Sequence, residues 1–483
     1  MSKRAGPLTA VLANVLFAAG HMIAQNTEVR VTIDQDRPGV AHIAGRTDGP
    51  PMRELRFLQS YAGLNFAPQR ISGVKVVSKD GRNVQCLPVS GVSYSCLPGF
   101  ASFLYDLNIS PPTNGTPSAH VSWLTPIGGM LTLDDILPQP TDHTHVRLTL
   151  ELPEKWRIIT NENTLAKNTL DIPDAQRSVV FVGENWSASP IGETRLKLVN
   201  LGDLQLPVNS ATADIAAIYG AYSKLFGSAP VGPPAQIAVV RAGGFPGGSW
   251  EAETRGSTVT IVTSGGFSPS DAEQRLNQQL RHELFHVWLP NGVNLSGNYD
   301  WFYEGFAVYE ASKLGVAMNQ IRFEDFLSTI GRAADIDRFT TKRSLLEASQ
   351  DRWSGASSQV YARGMLVAFL CDVALLDASK GKASVESLLK RLFEEHRPTA
   401  PSVNGNDAII AALRSHHELV PIVDDYINGS KTIDLTPIAQ KAGIQASIRD
   451  QLTQISVSDR LNGRQKALLD KLGYNNWLKL APK

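Results

Sequence analysis

An excess of charge of either sign is the first thing this sequence lacks: 46 Lys and Arg stand against 46 Asp and Glu, a formal net charge of zero. A chain without basic excess carries no electrostatic footprint for a phosphate backbone, so a nucleic-acid partner is not expected. A membrane-surface role is equally unsupported. Cysteine is sparse: three residues in 483 cannot build a disulfide scaffold. Cys86 and Cys96 nevertheless flank a short stretch containing Gly91 and are placed to close a hairpin. Cys371 sits in an apolar helical pattern and reads as a small buried hydrophobe rather than a nucleophile. Beyond residue 24 no segment approaches ~18 uninterrupted apolar residues, so no later membrane span is expected. With 42% hydrophobic residues, 39 Gly and 28 Pro, the composition excludes disorder and collagen. At about 100 to 200 residues per domain, several domains are expected.

The first 24 residues differ from the rest. Lys3 and Arg4 precede an uncharged run from Ala5 through Ala24 that contains Leu8, Val11, Leu12, Val15, Leu16 and Phe17. A short basic head before an apolar stretch is the pattern of a signal peptide, with cleavage expected after Gly20 or Ala24. The mature protein is expected to be exported, periplasmic or secreted, without stable membrane insertion. From Thr27 to about Leu206, alternating runs such as Val29-Val31-Ile33 and Val146-Leu148-Leu150-Leu152 are separated by turn clusters. Period two predicts strands, here a β-sandwich. His143 and His145, beside Asp142, find no further ligand set and read as surface residues.

After residue 207 the period changes. Ala211 to Phe226 reads as a helix, Gln236 to Arg241 as a buried strand, and Ser257 to Thr263 as an alternating strand. A helix is predicted from Ser270 to Leu289, with Ser270 and Glu273 as a capping box and Pro290-Asn291-Gly292 as the stop. Leu276, Leu280 and Leu284 form its apolar stripe, leaving His282 and His286 on the opposite side. These histidines belong to His282-Glu283-Leu284-Phe285-His286, an H-E-x-x-H pattern. Spacing four stacks both imidazoles on one helical face, where two nitrogens can reach one zinc ion, and Glu283 can take a proton from metal-bound water. Glu304, eighteen residues beyond His286 on a second predicted helix ending near Gly315, is the candidate third ligand. Three protein ligands leave one position open, as a catalytic zinc requires.

The segments HELFHVW and WFYEGFAVY resemble the gluzincin metallopeptidases. The likeness is nearest to the glycyl aminopeptidase family, because Val360 to Asp372 and Ile422 to Gly429 resemble that family's Y-x-K-G helix and its following D-F-F-x-x-Y segment. The resemblance covers about residues 235 to 445 and implies that Tyr361 stabilises the tetrahedral intermediate. It also implies that Gly247 and Gly248 form a glycine-rich turn before a carboxylate that binds the substrate's α-amine. Glu253 is the match and Glu251 the fallback; the family's next residue, His, is Thr254 here. Ser257 to Thr263 is then expected to be an exposed edge that a peptide joins. The family's C-terminal PDZ domain is not expected, since only about 40 residues follow Ala446.

The sequence therefore predicts an α+β multidomain protein. A leader spans 1–24, an N-terminal β-sandwich 25–206, a thermolysin-like zinc peptidase domain 207–400, and a C-terminal helical region 401–483. The expected activity is peptide-bond hydrolysis with one catalytic zinc ion and a peptide substrate, most simply as an aminopeptidase. A zinc endopeptidase without amine recognition, or a catalytically silent peptide-binding protein of the same fold, are the alternatives.

Overall fold

The structure is a computed structural model that describes residues 27–57, 60–61, 64–65, 70–112, 118–139, 145–192, 196–202, 208–241 and 248–476. The segment 1–24 expected to be a leader, the Asp142 and His143 pair, and Gly247 lie outside the described residues.

Alternation in the first half makes sheets. Val29, Val31 and Ile33 turn inward from the strand Thr27–Ile33, which runs parallel to Val146–Glu151 and antiparallel to Val40–Thr47. These strands belong to an eight-stranded sheet. A three-stranded and a four-stranded sheet place Leu55, Phe100, Leu131, Val180 and Val182 in the same hydrophobic core. Cys86 and Cys96 stand directly opposite each other in a hairpin and form a disulfide. His145 pairs with Asp171 at 2.8 Å.

Three expectations need correction. The strands Trp186–Pro190 and Lys197–Leu201 hydrogen-bond into a five-stranded sheet with Gln236–Arg241, Thr258–Thr263 and Trp250–Arg255. A division at 206/207 therefore runs through a sheet, because period two identifies strands without saying which sheet they join. Second, Thr258–Thr263 is buried along its whole length, and the edge position belongs to Trp250–Arg255, paired antiparallel to it. The charges of Trp250-Glu-Ala-Glu-Thr-Arg are tolerated in an edge strand because one side of its ladder faces outward. Third, the region after 401 is not wholly helical. It contains the hairpin Ile444–Arg449 with Leu452–Val457, and Ile444 and Leu469 share one core with Leu284 and Phe369.

The helix bearing the two histidines spans Pro269–His286. Its N-cap is Ser268, whose hydroxyl accepts from the Asp271 N–H at 3.2 Å, rather than Ser270. Pro269 explains the shift: its ring fixes φ and its missing N–H costs nothing at the first helical position. Leu276, Leu280 and Leu284 are at most 3% exposed, as the stripe predicts. The helix carrying Glu304, Asp300–Ala317, continues past Gly315, whose missing side chain leaves room for the Arg281 guanidinium.

A third helix, Ser357–Ser379, is long and apolar enough by length and composition to cross a membrane, but 94% of its most apolar window is buried within the protein. It buries Cys371 completely. It also holds Arg363 against Asp337 at 2.8 Å, with further bonds to the carbonyls of Tyr426 and Lys431. This helix crosses Asp300–Ala317 at two glycines. A Cβ on Gly364 would lie 2.5 Å from the Trp301 carbonyl oxygen and 2.8 Å from Gly305 Cα. That contact sets Glu304 beside Tyr361, one helix against the other. Gly364→Ala is expected to destabilise the fold by about 1–3 kcal/mol through overpacking and to lower zinc affinity; denaturant unfolding and zinc titration check both.

Candidate active site

Three side chains from two helices converge. His282 Nε2 lies 3.1 Å from His286 Nε2 and 3.2 Å from Glu304 Oε2, and His286 Nε2 lies 3.5 Å from the same oxygen. A tetrahedral ion with ligand bonds near 2.1 Å sets its ligand atoms about 3.4 Å apart, so the triad has the spacing of a zinc ligand set. Lone pairs this close repel each other unless a proton on one nitrogen or a metal ion between the three relieves them. His286 Nδ1 donates to the Leu289 carbonyl at 3.0 Å, which turns Nε2 toward the other two atoms as an acceptor. Burial alone would raise the Glu304 carboxyl, but the Arg352 guanidinium beside it holds it well below the usual range. These residues thus fit one zinc ion, with room for a fourth ligand.

Glu283 is 5% exposed and faces the same space. The Thr254 hydroxyl lies 2.8 Å from its Oε2 and 2.9 Å from its main-chain carbonyl oxygen, and its single proton serves one of the two at a time. Thr254, noted in the sequence only as a replacement for histidine, therefore sits against the carboxylate. Tyr361 enters from the third helix, its ring 6.1 Å from that of His282. Burial, reinforced by Glu304, pushes its phenol well above the ordinary value, so the hydroxyl remains a donor.

Sequence reasoning missed Arg352. It is 7% exposed and donates to Glu304 Oε1 at 2.8 Å, to Asp300 at 3.0 Å and to the Tyr361 oxygen at 2.7 Å. One guanidinium fork so holds the second oxygen of Glu304, leaving Oε2 to the histidines. No motif marks an arginine nine residues before a tyrosine, and the signal exists only in three dimensions. Arg352→Gln is expected to weaken zinc binding about 10–100-fold, the usual loss for a partner of a metal ligand. Zinc competition with a chelator measures this, and Arg352→Lys, which keeps the charge, is expected to recover part of it.

The edge strand closes the site. Glu253 Oε2 lies 3.1 Å from both Arg255 Nε and His120 Nδ1. His120 comes from the N-terminal half and was not legible as a site residue, since nothing local links position 120 to 253. Burial opposes its protonation, but the Glu253 carboxylate outweighs this and raises its pKa. Arg255 also reaches the Gln176 carbonyl at 3.1 Å and Asp134 at 3.6 Å. Glu251 is half-buried, and burial raises its carboxyl. Gly248 occupies a turn with φ +87°, before the strand. A cavity of about 300 Å³ is lined by His120, Glu253, His282, Glu283, Arg352 and Tyr361. His396 and the His416-His417 pair lie elsewhere, and His417 is 96% exposed.

No protein-family model matches the chain, and no curated protein matches it. Solved structures do. An aminopeptidase N family protein from Idiomarina loihiensis superposes with a TM-score of 0.70 at 16% identity, over 88% of this chain and 79% of that one. An M1 zinc metallopeptidase from Deinococcus radiodurans gives 0.53 at 16% identity, over 85% and 94%. A variant of an M1 zinc metallopeptidase from the same organism, bound to the substrate Tyr-Ser-Ala, gives 0.53 at 15% identity, over 85% and 95%. At such identities the likeness defines the fold: the chain has the architecture of these metallopeptidases.

Proposed function

We propose that the protein is an exported zinc-dependent peptidase, most simply an aminopeptidase, which hydrolyses peptide bonds with Glu283 as general base and Tyr361 as donor to the oxyanion. The observation that carries this reading is the 3.1–3.5 Å convergence of the His282, His286 and Glu304 ligand atoms beside Glu283. A zinc ion held there would polarise a water molecule and the scissile carbonyl. Glu283, with Thr254 against it, takes a proton from the attacking water and returns it to the leaving amine. The Tyr361 hydroxyl donates to the oxygen on which charge develops, in a buried setting where such a bond is worth more than in water. The edge strand Trp250–Arg255 offers a peptide an open ladder to join. The Cys86–Cys96 disulfide suits an oxidising compartment, in keeping with the expected leader. The metallopeptidase folds of the solved neighbours support the reading.

A second reading, an endopeptidase, draws on the Glu253 carboxylate, which already faces Arg255 and His120 rather than a substrate amine. One experiment tests both. Purified protein is stripped of metal, reloaded with zinc, and assayed on alanyl-p-nitroanilide and on an N-acetylated peptide. Zinc-restored cleavage of the free-amine substrate is expected. Cleavage of only the acetylated peptide would favour the endopeptidase, and cleavage of neither would defeat the hydrolase.

A further inference from the structure

A second cavity, about 490 Å³ against about 300 Å³ at the triad, opens between four helices: Val208–Phe226, Asp300–Ala317, Val385–Glu395 and Gly463–Leu472. It shares no lining residue with the catalytic cavity. Its floor is acidic. Glu310, six residues after Glu304 on the same helix and so about 9 Å along it, lines the cavity and is 2% exposed. Its Oε1 is buried without a hydrogen-bond partner among the described residues. Native proteins rarely leave a buried acceptor unmatched, so this one marks a place where another molecule donates. Lys313, three residues on, is already committed: its ammonium lies 2.9 Å from both Asp372 Oδ2 and Glu386 Oε1. Burial pushes the Glu310 carboxyl up to about 8, and a cation arriving beside it favours the ionised form. The rim is basic, with Lys224, Lys390 and Lys471 exposed around the opening; Lys390 lies 3.9 Å from Glu394.

This layering decides the ligand. A metal ion is a poor fit, because among the described residues the only three His, Cys, Asp or Glu side chains whose ligand atoms converge within 4.8 Å are the zinc triad. A simple anion drawn by the lysines would meet Glu310 beneath them, and a simple cation suited to Glu310 would have to pass three ammonium groups. A molecule carrying both charges matches both layers, with a charge-assisted bond at each end. We propose that this cavity is a second binding site, for a zwitterion whose ammonium meets Glu310 at the floor and whose carboxylate meets the lysines of the rim. Two sources supply that chemistry, a free α-amino acid and a short unblocked peptide. The site goes beyond the peptidase reading and does not depend on it.

Calorimetry on the zinc-loaded Glu283→Gln protein tests this without consuming the probes, and saturating acetohydroxamate, which carries neither ammonium nor carboxylate, keeps them off the triad. The probes are alanine and dialanine, each also as its N-acetyl and its amide form. Alanine or dialanine is expected to bind once per chain and to lose affinity at least about tenfold on acetylation and again on amidation. The tighter of the two identifies the source as amino acid or peptide. Adding Glu310→Gln is expected to erase the preference for the free amine and leave the preference for the free carboxylate. The exposed triple change Lys224→Met, Lys390→Met and Lys471→Met is expected to do the reverse, and it reads the site even where the buried change perturbs folding. No binding of either probe, equal binding of the free and blocked forms, or an undiminished preference for the free amine in folded Glu310→Gln protein would overturn the proposal.

Discussion

Glu283→Gln is expected to lose about 10²–10⁴-fold in kcat while keeping its zinc, because general acid–base catalysis contributes on that order and the glutamine cannot hold a proton. The change is nearly isosteric. Its amide oxygen can still accept from the Thr254 hydroxyl, now 2.8 Å from Oε2, and the ligand atoms of His282, His286 and Glu304 are untouched. Parallel measurement of kcat and zinc content isolates the effect. A variant that retains activity within tenfold would remove Glu283 from the base role, and one that loses zinc would show that the carboxylate belongs to the metal site instead.

His282→Ala should fail at the earlier step. Removing one nitrogen leaves His286 and Glu304 as a two-ligand site, and the loss of zinc affinity should exceed the roughly 100-fold upper range for removing a supporting partner such as Arg352. The consequence extends to stability. A ligand that binds only the folded chain stabilises it by about 2.7 kcal/mol at a hundred times its dissociation constant. Zinc should therefore raise the melting temperature of wild type and Glu283→Gln and leave His282→Ala unmoved. Equal zinc-induced shifts in all three proteins would place the ion somewhere other than this triad.

What the sequence disclosed follows the range of the interactions. His282 and His286 share one helix, so spacing alone stacked them, and Glu304 followed from the need for a third ligand on a neighbouring helix. Tyr361 came only through resemblance, since the Gly305 and Gly364 approach that sets it beside Glu304 joins helices whose sequence patterns say nothing about each other. Arg352, His120 and the place of Thr254 depend on folding-dependent contacts and left no periodic trace. The strand alternation of the first half was legible because a half-buried sheet imposes period two. Sheet membership was not: Trp186–Pro190 and Lys197–Leu201 look like earlier strands yet pair with Gln236–Arg241. The highly charged edge strand was not legible for the same reason, its identity being fixed by the Thr258–Thr263 partner.

The most direct test is anomalous diffraction at the zinc absorption edge from crystals of the metal-loaded protein. One peak is predicted, about 2.0–2.2 Å from His282 Nε2, His286 Nε2 and Glu304 Oε2. No peak there, or a peak coordinated by other side chains, would contradict the account.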